Sequence, residues 1–372
     1  MAVSSASAAG KPNALRNQVL DFIVRNWSYI FLLLMIIVFS VTGRGFLTLA
    51  NFSNVLVTST MVALMAIGQT YVVVTAGIDL SIGWTVGLAS VICARSMRDM
   101  VNGGMDVGLA MIIGVVLALL VSLIPGFING VLIARIKVPP FIATLGMFGI
   151  VRGAAFLLTD GQQIIGNLPT NLQDSLRSIG SGSLLWYIPE QALTLFNRPN
   201  DLPPAISRNV AGLLPYPVLI TAGVVIVFGF IMARMRFGRH TYAIGGNQDA
   251  SLRAGISLRR HLIWIYVISA FTAGIAGVLH TFRFTAGAPN AAEAALLQSV
   301  AAVVIGGTNL FGGEGTIRGA VIGALIINVL SNGLVIVNVN PLWQFIVVGV
   351  VIIVAVLVNQ AQAALERLRT NA

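Results

Sequence analysis

Three interruptions in otherwise apolar sequence hold the residues that could do chemistry. The first, 75–83, reads T-A-G-I-D-L-S-I-G and sets Asp79 at the mouth of an apolar run. A carboxylate at membrane depth is costly and needs a reason. Two readings are open. Asp79 is a site for substrate or a proton, or it is a cap whose carboxylate accepts backbone N–H groups where the next helix begins. The second interruption, 306–315, reads G-G-T-N-L-F-G-G-E-G, with five glycines in ten residues. Irregular backbone of that kind is tolerated near membrane depth only where protein or a water-filled cavity surrounds it. This places Asn309 beside a pathway. The third, 128–146, groups Asn129, Thr144 and the Pro139-Pro140 pair in a corner between two helices.

A further polar stretch lies outside the apolar runs. Residues 238–256 read G-R-H-T-Y-A-I-G-G-N-Q-D-A-S-L-R-A-G-I. Gly245 and Gly246 punctuate it, and Asn247 and Asp249 are candidate N-caps. A short helix through Arg253 follows, with Gly255 as its left-handed stop. Arg239, Tyr242 and Arg253 give it polar and basic character. A capped helix outside the bilayer is a docking surface.

Several chemistries are excluded or disfavoured. The only lysines, Lys11 and Lys137, stand in no G-x-x-x-x-G-K-[ST] motif, so the chain does not hydrolyse ATP by that route. His240, His261 and His280 are far apart in sequence, and neither H-E-x-x-H nor G-x-S-x-G occurs. No metal site and no cofactor is expected on this chain, and an enzyme is disfavoured. Lone Cys93 sits in an apolar run and reads as packing.

The elements that must position these residues are membrane helices. Apolar residues make up 57% of 372 positions and charged residues 9%, with mean hydropathy +0.91. Ordinary soluble domains carry roughly 25% charge. The pattern predicts an all-α polytopic membrane protein of about ten elements. Their spans are 28–41, 55–76, 80–94, 107–124, 139–158, 213–235, 262–280, 294–306, 319–337 and 342–358. At thirteen residues the eighth rises only about 20 Å, so it is broken or re-entrant. With the N-terminus inside, fourteen of the 22 Lys and Arg residues fall in inside segments and seven outside, with Arg152 in the fifth span. That asymmetry favours both termini in the cytoplasm and 159–212 outside. The net charge of +10 needs no nucleic acid, because a cytoplasmic face meeting anionic lipid accounts for it. The domains are then a tail at 1–27, a membrane domain at 28–358 and a tail at 359–372. Within the domain lie the 159–212 outer loop and a cytoplasmic loop at 234–261.

Two weaker patterns complete the reading. Val73, Val74, Gly77, Asp79, Leu80 and Gly83 match Val303, Val304, Gly307, Asn309, Leu310 and Gly313 at a constant offset, as paired broken helices would. G-x-x-x-G pairs at Gly83 and Gly87, Gly149 and Gly153, and Gly319 and Gly323 are expected to serve internal packing. Polar groups for a passing substrate are Gln69, Asp79, Trp84, Gln298 and Asn309, with Asn328 and Asn332 behind them. Each reads equally well as a contact between helices.

The chain resembles the permease subunits of ribose-type bacterial ABC sugar importers. Four stretches carry the likeness: 75–83, then N-G-V-L-I-A-R-I-K-V-P-P-F-I-A-T-L-G at 129–146, then G-R-H-T-Y-A-I-G-G-N at 238–247, then A-V-V-I-G-G-T-N-L-F-G-G-E-G at 302–315. They cover most of 55–358. The resemblance implies a pore of two permease copies, or of one with a related partner, in the bacterial inner membrane. It also implies a separate cytoplasmic ATPase pair seated on 238–256, a soluble sugar-binding protein outside, and ATP used by the partner alone. Another class stays open: a proton-coupled secondary transporter using Asp79 and Glu293.

Overall fold

The computed structural model describes residues 26–162, 167–188, 193–196 and 210–340, and near the C-terminus 342–343, 345–351, 353–354 and 356–357. Of the expected tails at 1–27 and 359–372, residues 1–25 and 359–372 lie outside the described residues.

The described chain is overwhelmingly helical. In order it forms α1 (Trp27–Thr42), α2 (Leu49–Val74), α3 (Ile82–Asn102), α4 (Val107–Ala134), α5 (Pro140–Leu157) and α6 (Thr170–Gly180). Then come α7 (Tyr216–Arg234), α8 (Arg236–Gly246), α9 (Gln248–Arg253), α10 (Leu258–Phe284), α11 (Glu293–Ile305) and α12 (Ile317–Ile336). Residues 345–351 are helical as well. Six helices are long and apolar enough to cross a membrane: α2, α4, α5, α7, α10 and α12. The chain is therefore a multi-pass integral membrane protein. α1 and α11 are apolar but shorter, at 16 and 13 residues. At 1.5 Å per residue they rise about 24 and 20 Å, less than the ~30 Å of a hydrocarbon core. α3 is long enough but carries Arg95, Arg98 and Asp99 in its second half.

Local signals explain the helix ends. Thr48, Asp106 and Thr316 cap α2, α4 and α12 by accepting the N–H of Asn51, Leu109 and Gly319. Pro140 opens α5, where its missing N–H costs nothing. The sequence placed the end of the fourth span before Pro125. Instead α4 runs through it to Ala134. Neighbouring helices let a membrane helix carry an interior proline. On the next turn Gly126 packs directly against the backbone of Tyr266 in α10.

Lipid tails are as apolar as leucine, so contact between these helices depends on close approach. α10 is the central element and packs on α2, α3 and α4. A Cβ on Gly126 or Gly130 of α4 would run into the backbone of Tyr266 or Ile263 of α10. α2 is equally interior: 83% of its apolar window is buried, against 17% for α7, which faces outward. Cys93 is buried with Met97, Leu172 and Leu176, as packing requires.

Two expectations need correcting. The fold is not purely α. Strands β1 (Leu185–Tyr187), β2 (Thr194–Leu195) and β3 (Ala211–Gly212) form a small antiparallel sheet in the order β2-β1-β3. Within the same 159–212 segment, α6 turns Leu172 and Leu176 inward, where both are buried. Second, only two of the three G-x-x-x-G pairs pack internally. Gly87 meets the backbone of Pro289, and Gly323 meets that of Ala302, while Gly149 and Gly153 have open space where a Cβ would stand.

Candidate functional site

The polar stretch after α7 folds as two helices. α7 ends at Arg234, and Met235, extended at ψ 162°, turns the chain into α8. Asn247 then caps α9, its side chain accepting the Ala250 N–H at 2.9 Å. Gly255 closes α9 in the left-handed region at φ +81°. Its N–H reaches Leu252 O and the Ile256 N–H reaches Ser251 O, both at 3.0 Å. This is the glycine-terminated ending that the sequence indicates, and it needs a residue without a Cβ. Asp249 lies in the first turn of α9 and leaves the cap to Asn247. Arg239, Gly246, Asn247, Asp249 and Arg253 are exposed.

The inner face of α8 is where the sequence motifs meet. Gly238, Thr241 and Ile244 are buried. A Cβ on Gly245 would stand 1.7 Å from Val74 O, at the end of α2, and 2.5 Å from Gly313 N. The Gly313 N–H itself donates to Val74 O at 2.8 Å. Tyr242 donates its hydroxyl to Gly315 O at 2.6 Å. Burial pushes the Tyr242 phenol above its ordinary range, so it remains a neutral donor. Thr241 and His261 Nε2 lie 2.9 Å apart, tying α8 to α10. The docking stretch, the first interruption and the glycine-rich interruption thus share one junction.

The two interruptions end their helices with the same pair of bonds, but one residue out of the register of the sequence match: Ala76, not Gly77, corresponds to Gly307. Gly77 N–H reaches Val72 O and Ala76 N–H reaches Val73 O; Thr308 N–H reaches Val303 O and Gly307 N–H reaches Val304 O. Ala76 and Gly307 hold the left-handed position in each, at φ +61° and +86°.

Asp79 sits beyond the first of these endings, 1% exposed. Its Oδ1 accepts the Ser81 N–H at 3.0 Å and the Ser81 hydroxyl at 2.6 Å, and its Oδ2 accepts the Ser269 hydroxyl at 2.7 Å. α3 begins at Ile82 with Ser81 as its flanking residue, so Asp79 serves the helix start from two positions upstream. Gln69 brackets the Asp79 backbone, donating to its carbonyl at 2.6 Å. Asn129 donates to the Ser81 hydroxyl at 2.9 Å and Thr144 to Ile78 O at 3.1 Å. The first and third interruptions therefore form one buried polar knot joining α2, α4, α5 and α10. A carboxylate with these donors is satisfied without substrate.

The other sequence-derived positions do not join that knot. Trp84 is 2% exposed, edge-on to Phe148 and beside Phe156, with Arg152 5.0 Å over its ring. Asn309 shapes its own turn: its Oδ1 accepts the Phe311 N–H at 2.9 Å and its N–H reaches Glu314 O. Gln298 lines a cavity of about 280 Å³ between α2, α10, α11 and α12. Sequence reasoning did not bring His280 and Arg283 to that cavity, although both line it. Arg283 sits in the last turn of α10, 25 residues past Leu258. The rise of 1.5 Å per residue puts it about 37 Å from the α8 end.

Comparison with known proteins agrees with this architecture. The family described as "Branched-chain amino acid transport system / permease component" matches residues 51–356. The ribose import permease protein of Haemophilus influenzae is 33% identical over 342 residues, covering 92% of this chain and 95% of that protein. The Bacillus subtilis ribose import permease protein is 34% identical, covering 90% and 92%. The fructose import permease protein of Rhizobium meliloti is 33% identical, covering 89% and 84%. No solved structure gives a significant match. With six membrane-length helices, a capped polar element against two helix interruptions and a family match spanning most of its length, the chain belongs to this family of transport-system permease components.

Proposed function

We propose that the chain is the membrane subunit of an ATP-driven importer that carries a monosaccharide or related polyol across the bacterial inner membrane by alternating access. One observation carries the reading. The exposed polar stretch of α8 and α9 is backed by contacts to Val74, Gly313 and Gly315, the ends of two broken segments. A partner that moves α8 must move those segments too, because at Gly245 its backbone lies directly against the backbone of Val74 and Gly313. The import permeases of ribose, fructose and D-allose among the relatives favour a sugar as cargo.

In this account Gly238, Arg239, Tyr242, Gly245, Gly246, Asn247, Asp249, Arg253 and Gly255 form the coupling element for a cytoplasmic ATPase pair. The membrane domain spans 28–358 in about ten elements, with both termini cytoplasmic and 159–212 outside. Two copies, or one with a related permease, enclose the pore, and a periplasmic sugar-binding protein delivers the cargo. ATP is bound by the partner. Of the proposed pathway residues, Gln298 lines the cavity, whereas Gln69, Asp79, Trp84 and Asn309 are not among its lining residues. The proton-coupled alternative loses its main support, since Asp79 is closed off within its hydrogen bonds.

The test is co-expression of the full chain with an ATPase of the importer class. The expected result is a complex that survives purification and is lost when the 238–256 face is altered. A chain that transports sugar with no ATPase attached would overturn the proposal.

A further inference from the structure

The cavity at the end of α10 remote from α8 has a charge that a neutral cargo does not explain. Arg283 is the one formally charged residue in its lining. Among the described residues, the salt bridges join Arg95 and Arg98 to Asp99, and Arg283 has no carboxylate partner. Its recorded contact is the ring of Phe284, 5.3 Å from the guanidinium. Glu293, at the head of α11, is exposed and does not line the cavity. A half-buried guanidinium without a carboxylate partner keeps donors free for an anionic ligand.

Other polar groups converge there with capacity to spare. Among the described residues Gln298, which lines the cavity, has no hydrogen-bond partner. Asn328 uses its Nδ2 on Ala324 O at 2.9 Å and leaves its Oδ1 unengaged. His280 engages Ser90 through Nδ1 at 3.2 Å and leaves Nε2. The cavity's 280 Å³ lies just under the ~300–1,000 Å³ of small-molecule sites, which suits a single sugar ring. Phe284 adds an aromatic face.

Resting on the importer reading, we infer that this cavity is a substrate site selective for an anionic monosaccharide, a sugar acid or a sugar phosphate. The anionic group sits on Arg283, and Gln298, Asn328 and His280 hold the ring hydroxyls. An Arg fork matches carboxylate and phosphate geometry in two parallel hydrogen bonds.

The test uses purified full-length chain in lipid nanodiscs of neutral lipid. Binding is measured for glucuronate, glucose 6-phosphate and glucose. The expected result is that one of the two anions binds at least tenfold more tightly than glucose, and which one does identifies the charged group. Arg283→Gln should weaken the anion by about 10- to 100-fold, the worth of a charge-assisted hydrogen bond, and leave glucose nearly unchanged. Arg283→Lys should keep part of the preference. If Arg283→Gln fails to fold, Gln298→Glu supplies the same contrast by repulsion, weakening the anion alone. Equal binding of all three, lowered alike by Arg283→Gln, would overturn the anionic selectivity and leave the importer reading intact. Binding of none, in a chain that still holds its ATPase, would overturn the site. Loss of ATPase association as well would strike the importer reading itself.

Discussion

Replacing Gly245 by alanine should break the junction between the docking helix and the two interruptions. The added Cβ would stand 1.7 Å from Val74 O and 2.5 Å from Gly313 N, both backbone atoms that cannot swing away. Overpacking of this kind costs about 1–3 kcal/mol. Separating the strands of the junction also removes the Gly313–Val74 hydrogen bond, worth about 0.5–1.5 kcal/mol. Alanine gains at most about 1 kcal/mol of helix propensity over glycine. Gly246, the next residue of the same helix, has nothing within 4 Å of its Cβ position. Gly246→Ala receives a similar propensity gain without the clash. The propensity term cancels between the two variants, leaving a difference of about 1.5–4.5 kcal/mol from overpacking and the lost bond. Thermal unfolding of the two variants in detergent is the assay, with ATPase association as a second readout. Gly245→Ala should melt well below Gly246→Ala and retain less ATPase. Equal melting of the two would refute the claim that α8 is locked to the ends of α2 and 306–315.

Further outcomes follow from the same contacts. Asp79→Leu strips the Ser81 and Ser269 donors of their acceptor, about 1–3 kcal/mol for each group left unpaired, and should abolish folded yield in size-exclusion profiles. Asp79→Asn keeps one oxygen acceptor, so it should fold with reduced stability and still transport; a well-folded Asp79→Asn without uptake would revive the proton-carrier reading. Gly255→Val forces a β-branched residue to φ +81°, a strain of order 1–3 kcal/mol, and should reduce ATPase co-purification while unfolding of the membrane helices stays near wild type. Asn332→Leu removes the paired amide bonds to Asn51 at 2.9 and 3.0 Å, and should cost about 0.6–1.7 kcal/mol in a detergent unfolding assay.

Hydropathy located nearly every long helix because membrane length and apolarity are properties of a short window. α9 was equally legible: Asn247 at its start and Arg253 and Gly255 at its end lie within eight residues of one another, and each residue type has a local reason. α8 was not legible. Its Gly238, Gly245 and Gly246 look like loop punctuation in sequence, yet Gly238 and Gly245 serve close contact with Met232 and Val74. That use depends on neighbours distant in the chain. The same limit hid the Gly313–Val74 bond and the meeting of Asp79 with Ser269, 190 residues apart. Asp79 could be read as cap or carrier until its donors were known. Arg283 was visible as a basic residue near a span end, but only the packing of α2, α11 and α12 around it forms a cavity.

The most direct measurement of the central claim is sugar uptake into vesicles holding the full complex. ATP is supplied on the α8 side, and a protonophore is added in parallel. The account predicts uptake that requires ATP and is indifferent to the protonophore, and that falls when the 238–256 face is altered. Uptake that proceeds without ATP and collapses with the proton gradient would contradict it.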